Sequence, residues 1–538
     1  MSEPEANGAA PKKKSIKKNY FYNLVYQLFA LITPLVVTPH VSRVLGSSGM
    51  GQYSFTYSIA TYFMLFAALG FGYYAQREIA RAQGDKKEQS KIFFEIMIAR
   101  SLSVGASLLI HFALILAGIY GPVYSVLMWI LTINIAATAF DVAFLFQGNE
   151  EFGMIALRNV VIKAVGVAAI LIFVKNEDQV WLYALCQCLI LIVSNLSLWT
   201  RLPRFLTRVN PKELNIKRHF RPTLRLFIPT IAVSVYTMFD KTLIGIMVQG
   251  TTVVDGVEKK IADLENGYYD QAEKLVKMAT MVVASLGTVM IPRNSQAIAS
   301  NNMEEFKANI SKALTFVFFL GTPIMFGLAA IAFNFSPWFF GPGYEKVPYL
   351  MMILSPLVLI IGLSNVLGLQ YLLPKKEDKK YTIAITSGAG LNLALNLALI
   401  YFYWSYGACI ATIVAETLVT SLMLVFSRKD VKLRNLFIAG WRYLVAGALM
   451  FGGVFLTQRF LQPNALNTVL LILEGVGIYF VLLLVFRDRF TIDRLVAIGR
   501  KIREVTKRGK GKKPESKAAA PNNDSETNEA KESVQTGE

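Results

Sequence analysis

Ionisable side chains recur in this chain where the surrounding residues offer them no water. Asp240 and Lys241 are neighbours inside Tyr236-Thr237-Met238-Phe239-Asp240-Lys241-Thr242-Leu243-Ile244-Gly245. A second polar cluster, Asn266-Gly267-Tyr268-Tyr269-Asp270-Gln271-Ala272-Glu273-Lys274, opens the next apolar run. Arg158, Asn159 and Lys163 share another run; Asp141 lies near the end of the run before it, Glu416 in the middle of a late one, and Arg43 in the first. A charge in hydrocarbon is costly unless it faces a partner, water or a polar ligand. Cations so placed can grip phosphate, and amides and tyrosines can sort hydroxyls. A carboxylate in such a place can titrate and couple a cycle to an ion. These are binding and coupling chemistries; they imply no catalytic residue.

Helix geometry sorts these groups. Sequence neighbours on a helix point about 100° apart, so Asp240 and Lys241 cannot simply neutralise each other. Asp240 shares a face with Tyr236, and Lys241 with Thr237. Fifteen residues separate Arg225 from Asp240, roughly 22 Å of helix, which places the pair in the outer half of a bilayer and suggests an outer gate. Arg43 falls near the outer end of the first helix. For Arg43 and Lys241, snorkelling to the interface and lining a cationic cavity both remain open. Lys163 lies near the midplane with Asn159 on its face; facing a water-filled cavity and being structurally paired both remain open. Asp141 is placed to pair with Arg158. Glu416 reads either as a coupling carboxylate or as a buried hydrogen-bonding group. Glu273 and Lys277 have the spacing of a helical ion pair, whereas Lys274 lies on a different face. His111 reads as a core histidine.

The elements that position them are membrane helices. The chain has 538 residues, 54% of them hydrophobic and 17% charged, against roughly 25% charged in soluble proteins. Apolar runs of about 20 residues, enough to cross a bilayer, predict fourteen spans at 20–41, 52–74, 92–118, 123–147, 154–174, 180–200, 223–247, 268–291, 310–334, 347–373, 381–404, 406–426, 439–460 and 467–486. Strand alternation of the β-barrel kind is not seen. The net charge of +19 lies in the tails and alternate loops, the pattern of cytosolic loops, rather than marking a nucleic-acid surface. Both termini are thus expected in the cytosol. The run after residue 19 lacks a cleavage site and reads as a first span rather than a signal peptide.

The longest cytosolic loop divides the chain. The expected organisation is a basic tail (1–19), a six-helix bundle (20–200), a linker (201–222), a second six-helix bundle (223–426), an extra helix pair (439–486), and a basic surface helix with a disordered tail (487–538). A weak repeat relates the halves: Arg43-Val44-Leu45-Gly46 with Gly51-Gln52-Tyr53 and Gly70 in one, Lys241-Thr242-Leu243-Ile244-Gly245 with Gly267-Tyr268-Tyr269 and Gly287 in the other. Pro34, Pro39, Pro229, Pro323 and Pro356 can bend their helices. Cys186, Cys188 and Cys409 read as apolar filler, with no metal site. The loop Gln249–Asn266, of mixed charge, reads as a solvated cap. No phosphate-binding loop for an ATPase is present.

These residues resemble a known family. Val41-Ser42-Arg43-Val44-Leu45-Gly46 followed by Gly51-x-Tyr53 is similar to the first-helix signature of the Wzx-type flippases that export O-antigen and capsule repeat units. Phe146-Gln147-Gly148-x-Glu150-x-Phe152 with Arg158-Asn159 and Lys163 resembles their fourth-to-fifth helix segment. The stretches Tyr236–Gly245 and Gly267–Lys274 resemble the seventh and eighth helices. The resemblance runs from about residue 18 to 486 and extends to the superfamily of multidrug extruders and lipid II flippases. It implies two six-helix bundles around a V-shaped cavity, two extra helices, and a bacterial cytoplasmic membrane. It implies a substrate too: an undecaprenyl-diphosphate-linked oligosaccharide moved to the outer leaflet, with polysaccharide polymerase and assembly proteins as partners. Lys163, Arg43, Lys241, Lys274, Arg158 and Asn159 would serve that substrate, and Asp240, Glu416, Asp141 and Tyr236 would couple or gate. No cofactor is expected; protons, sodium or membrane potential are open as the driving force. Alternatives are a lipid II flippase, a drug–cation antiporter, or a membrane-embedded polysaccharide polymerase. An antiporter favours carboxylates at the cavity centre, and a polymerase needs a sizeable external catalytic loop.

Overall fold

The computed structural model describes residues 16–254, 256–488 and 490–492. Most of the expected N-terminal tail and nearly all of the C-terminal surface helix and tail lie outside these residues; residues 16–19 of that tail already belong to the first helix. Fifteen α-helices follow in order: α1 (Ile16–Ala68), α2 (Phe71–Arg81), α3 (Lys86–Leu116), α4 (Gly121–Ala137), α5 (Ala143–Gly148), α6 (Phe152–Phe173), α7 (Val180–Trp199), α8 (Lys217–Met247), α9 (Ile261–Ala299), α10 (Met303–Phe340), α11 (Val347–Leu354), α12 (Leu357–Asn365), α13 (Asp378–Ser427), α14 (Leu433–Thr457) and α15 (Ala465–Val485). A hairpin of β1 (Thr251–Val254) and β2 (Val257–Lys260) separates α8 from α9.

Eleven helical segments among the described residues are long and apolar enough to cross a membrane. Two of these are each bent into a pair of spans. α1 breaks at Gly46, whose φ of 65° and ψ of 176° suit only glycine. α13 breaks at Trp404, where φ is 52°. With α8 between them, these helices follow the order of the expected spans, and the chain is an all-α multi-pass membrane protein. Proline acts as expected at Pro356, which separates α11 from α12; the helix then loosens into a π-turn at Val366–Leu372.

The chain divides into two compact units, Met1–Leu482 and Leu483–Glu538. In the second, Asp488 caps a helical turn by accepting from the Thr491 amide at 2.9 Å and from its hydroxyl at 2.8 Å. In the first, α1 packs on α3, α4 and α6, and α4 on α7. Later in the chain, α8 packs on α13, α9 on α10 and α12, and α10 on α14.

The broadest packing joins α1 to α9, and glycine makes it so close. A Cβ at Gly51 would fall 1.7 Å from the Asp263 carbonyl oxygen; one at Gly267 would fall 2.0 Å from that of Ser47. The contact is reciprocal, since each glycine meets the residue four before the other. Both belong to the repeat read from sequence.

The hairpin corrects the reading of Gln249–Asn266 as a solvated cap. Only its first part is exposed. Asp263 and Glu265 sit in the first turns of α9, 2% and 4% exposed. Tyr124 donates to Asp263 at 2.8 Å, and Lys346 reaches both oxygens of Glu265 at 2.7 and 2.8 Å. Lys259 also pairs with Glu177 across the same end of the molecule.

Candidate functional site

Below the glycine crossing, α1, α3, α4 and α6–α9 line a cavity of about 930 Å³. Its wall carries five cations, Arg100, Arg158, Lys163, Lys241 and Lys274, against two carboxylates, Asp141 and Asp270. Tyr53, Tyr57, Tyr183 and Gln187 add aromatic faces and polar tips. Tyr53 stacks on Tyr57 with centroids 5.6 Å apart and meets Tyr183 edge-on at 4.8 Å; Gln187 donates to the Tyr183 hydroxyl at 2.9 Å. The lining continues along α1 and past it to Gly72, and to Gln147 on α5.

Each cation reaches the wall from a helix whose sequence places it there. On α6, Arg158, Asn159 and Lys163 all line the cavity, the last two one turn apart. Arg158 donates to the Ser194 carbonyl on α7 and, at 2.6 Å, to Asn159 Oδ1. Those bonds fix the guanidinium on the wall. On α8 and α9, Lys241 lies 2.5 Å from Asp270 Oδ1 and 3.1 Å from Glu273 Oε2. Lys274 lies 3.1 Å from Asp270 Oδ2, and Lys277 closes the expected pair with Glu273 at 2.6 Å.

Adjacent in sequence, Asp240 and Lys241 do serve different surroundings. Lys241 is on the cavity wall; Asp240 is 4% exposed, away from the lining. Tyr269 and Thr412 donate to its Oδ2, the latter at 2.8 Å, and Asn396 donates to Oδ1 at 2.6 Å. α8, α9 and both arms of α13 thus meet at one carboxylate.

Several expected placements change. Arg43 is not on the cavity wall. It lies three residues before the break at Gly46, and its guanidinium donates to the Trp338 carbonyl at the end of α10, its stem packed against Gly341. Lys241, read both as part of an outer gate and as a cavity cation, lies on the cavity wall. Asp141 accepts from the Ala143 amide at 3.0 Å as a local turn cap, and its carbonyl accepts from Arg100. Glu416 is half-buried on α13, within electrostatic reach of Tyr381 and outside the cavity lining. Tyr236 lies on α8, but its side chain is outside the described residues. His111 is a core histidine: fully buried, it shares a hydrogen bond with the Met128 carbonyl at 3.2 Å. The three cysteines are buried and free.

Two cavity residues escaped attention in the sequence. Arg100 stands alone in an apolar run, and the rule that found Lys163 finds it too. Asp270 was visible inside its motif; its role depends on lysines 29 residues earlier and four later.

Bent helices around a polar, charged cavity define a polytopic membrane transporter fold. A solved structure titled "Lipid II flippase MurJ, inward closed conformation" is similar, with a TM-score of 0.65 and 18% identity over 88% of this chain and all of that one. An inward-facing multidrug resistance MATE family transporter of the MOP superfamily has a TM-score of 0.57 and 12% identity over 77% of this chain and 98% of its own. Residues 16–298 match the family described as "Polysaccharide biosynthesis protein", and the chain belongs to that family. A curated relative, "Putative O-antigen transporter" of Escherichia coli (strain K12), is 24% identical over 420 residues, 78% of this chain and 98% of its own length.

Proposed function

We propose that the protein is a flippase that carries undecaprenyl-diphosphate-linked oligosaccharide repeat units from the inner to the outer leaflet of the bacterial cytoplasmic membrane by alternating access. The observation that carries this reading is the cavity wall, where five cations outnumber two carboxylates among tyrosines and amides. A diphosphate supplies the anion that such a wall accommodates, and sugar rings and hydroxyls match the aromatic faces and amides. Residues 20–200 and 223–426 act as two bundles that part alternately at either end, with the lipid tail left in the bilayer between them. The sealed Gly51–Gly267 end is the outer one in this reading, so the structure corresponds to an inward-oriented state. The family and the O-antigen transporter relative support polysaccharide export as the setting. An excess of cations disfavours a drug–cation antiporter.

Asp240 is the leading coupling group. It is a buried carboxylate on α8 met by neutral donors from α9 and both arms of α13, placed so that a bound proton or cation would alter how they pack. Glu416 and Tyr236 are secondary candidates for coupling or gating, and Asp141 for positioning Arg100. Polymerase and assembly proteins would receive the exported unit.

The reading is tested by removing the gene and following lipid-linked units by leaflet. Complete units should accumulate in the inner leaflet while surface polysaccharide is lost. Single units accumulating in the outer leaflet would point to a polymerase and overturn it.

A further inference from the structure

The lysines facing the cavity from α8 and α9 are not simply waiting cations. Asp270 gives one oxygen to each: Oδ1 to Lys241 at 2.5 Å and Oδ2 to Lys274 at 3.1 Å. Asp270 and both lysines line the cavity; Glu273, the second partner of Lys241, lies behind the lining and is held by Lys277. A phosphoryl group carries the same recognition pattern, two anionic oxygens on one atom. We propose that Asp270 is a displaceable internal counter-anion, which occupies Lys241 and Lys274 between transport events and yields them to a phosphate oxygen of the lipid-linked substrate. The inference rests on the cavity being a diphosphate site.

The arrangement answers an electrostatic problem of any such transporter. Without Asp270, Lys274 would lose its carboxylate partner and Lys241 one of its two, which is costly on a wall within the bilayer whenever no ligand is present. Asp270 neutralises them for the unloaded half of the cycle, and the phosphate does so for the loaded half. Glu273 anchors Lys241 in both, so the lysine stays on the wall while its front partner changes. Exchange also links binding to movement. Once a phosphate takes the lysines, the Asp270 carboxylate faces a like charge at close range, and repulsion favours a shift of α9 against α8. Because α9 also forms the glycine crossing with α1, that shift acts on the sealed end.

The test uses the purified full chain in lipid nanodiscs, with farnesyl diphosphate as probe and farnesol as its uncharged control. Asp270→Asn removes the competing charge and should bind farnesyl diphosphate about tenfold tighter than the unmodified chain, with farnesol binding unchanged. Asp270→Glu retains the competitor and should bind much as the unmodified chain does. In vesicles carrying the lipid-linked substrate, Asp270→Asn should lower KM and kcat together, because the ligand is held but no longer exchanged. If Asp270→Asn does not fold, Asp270→Ser is read the same way. The proposal is overturned if removing the carboxylate leaves diphosphate binding equal or weaker while Lys241→Gln and Lys274→Gln weaken it. If those lysine variants bind as the unmodified chain does, the diphosphate reading fails and the proposal with it.

Discussion

A charge in this protein is defined by what meets it, and the three lysines or arginines that looked alike in sequence illustrate this. Lys163 faces the cavity, Lys241 faces it already paired, and Arg43 leaves it for a carbonyl on α10. Away from the membrane spans, Asp430 in the α13–α14 loop is the clearest case of a carboxylate fixed by its partners. Burial alone would raise it, but bonds from Lys375 at 2.7 Å, Tyr371 at 2.7 Å and Lys307 at 3.1 Å outweigh this and hold its pKa down at about 2. A depressed carboxylate stabilises the fold above its unfolded value, roughly 3.9, and loses that contribution as pH falls toward its folded one. The detergent-solubilised chain should therefore melt at a higher temperature than Asp430→Asn near pH 6, and the gap should close between about pH 4 and pH 2. A gap that stays constant over that range would mean the carboxylate's charge is not what Asp430 contributes. At this scale, sequence revealed which residues are anomalous, because a lone charge in an apolar run stands out. It could not reveal partners: Arg43 and Trp338 are 295 positions apart, and no helical spacing connects them.

Elements were more legible than contacts. The spans follow from apolar runs long enough to cross hydrocarbon, and even the break at Trp404 falls between the expected spans 381–404 and 406–426. The β-hairpin escaped because two four-residue strands, Thr251-Thr252-Val253-Val254 and Val257-Glu258-Lys259-Lys260, are too short to carry a readable alternation. The glycine repeat was visible as a pattern, and its meaning lies in the α1–α9 crossing. A side chain at Gly51 or Gly267 has no room, since each would collide with backbone of the facing helix. Gly51→Leu should hold the crossing apart. A cysteine placed at Ser47, which is buried at the crossing, should react with a maleimide far faster in that background than in the otherwise unmodified chain. Equal labelling in both would show that the crossing does not depend on glycine. A second anchor ties the linker to the first helices: Glu95, fully buried, accepts from the Asn215 amide at 2.6 Å, from Arg218 at 2.8 Å, and shares a bond with His219 at 2.6 Å. His219 in turn bonds Tyr74 at 2.9 Å. The expected linker at 201–222 carried no sign of this anchor, because Glu95 lies near a helix end where a carboxylate attracts no notice.

At the scale of the molecule, a sealed crossing at one end of a charged cavity is what a carrier needs: one closed gate, one polar chamber, and hinges in helices that can bend. In the proposed cycle, the breaks at Gly46 and Trp404 and the π-turn after Pro356 would be the hinges. Fold class and the polar interior were both readable from composition and charge placement. The cavity's own wall was not, since it assembles residues from nine helices, α1 to α9. The most direct test reconstitutes the chain alone in vesicles containing undecaprenyl-diphosphate-linked oligosaccharide and measures how fast the sugars become reachable from the opposite side. The unmodified chain should move them. Lys163→Ala should slow transfer about tenfold or more, the loss expected for one charge-assisted contact to phosphate. Arg43→Ala should retain most activity. Vesicles with the chain that move no more substrate than empty ones, or a Lys163→Ala variant as fast as the unmodified chain, would contradict the account.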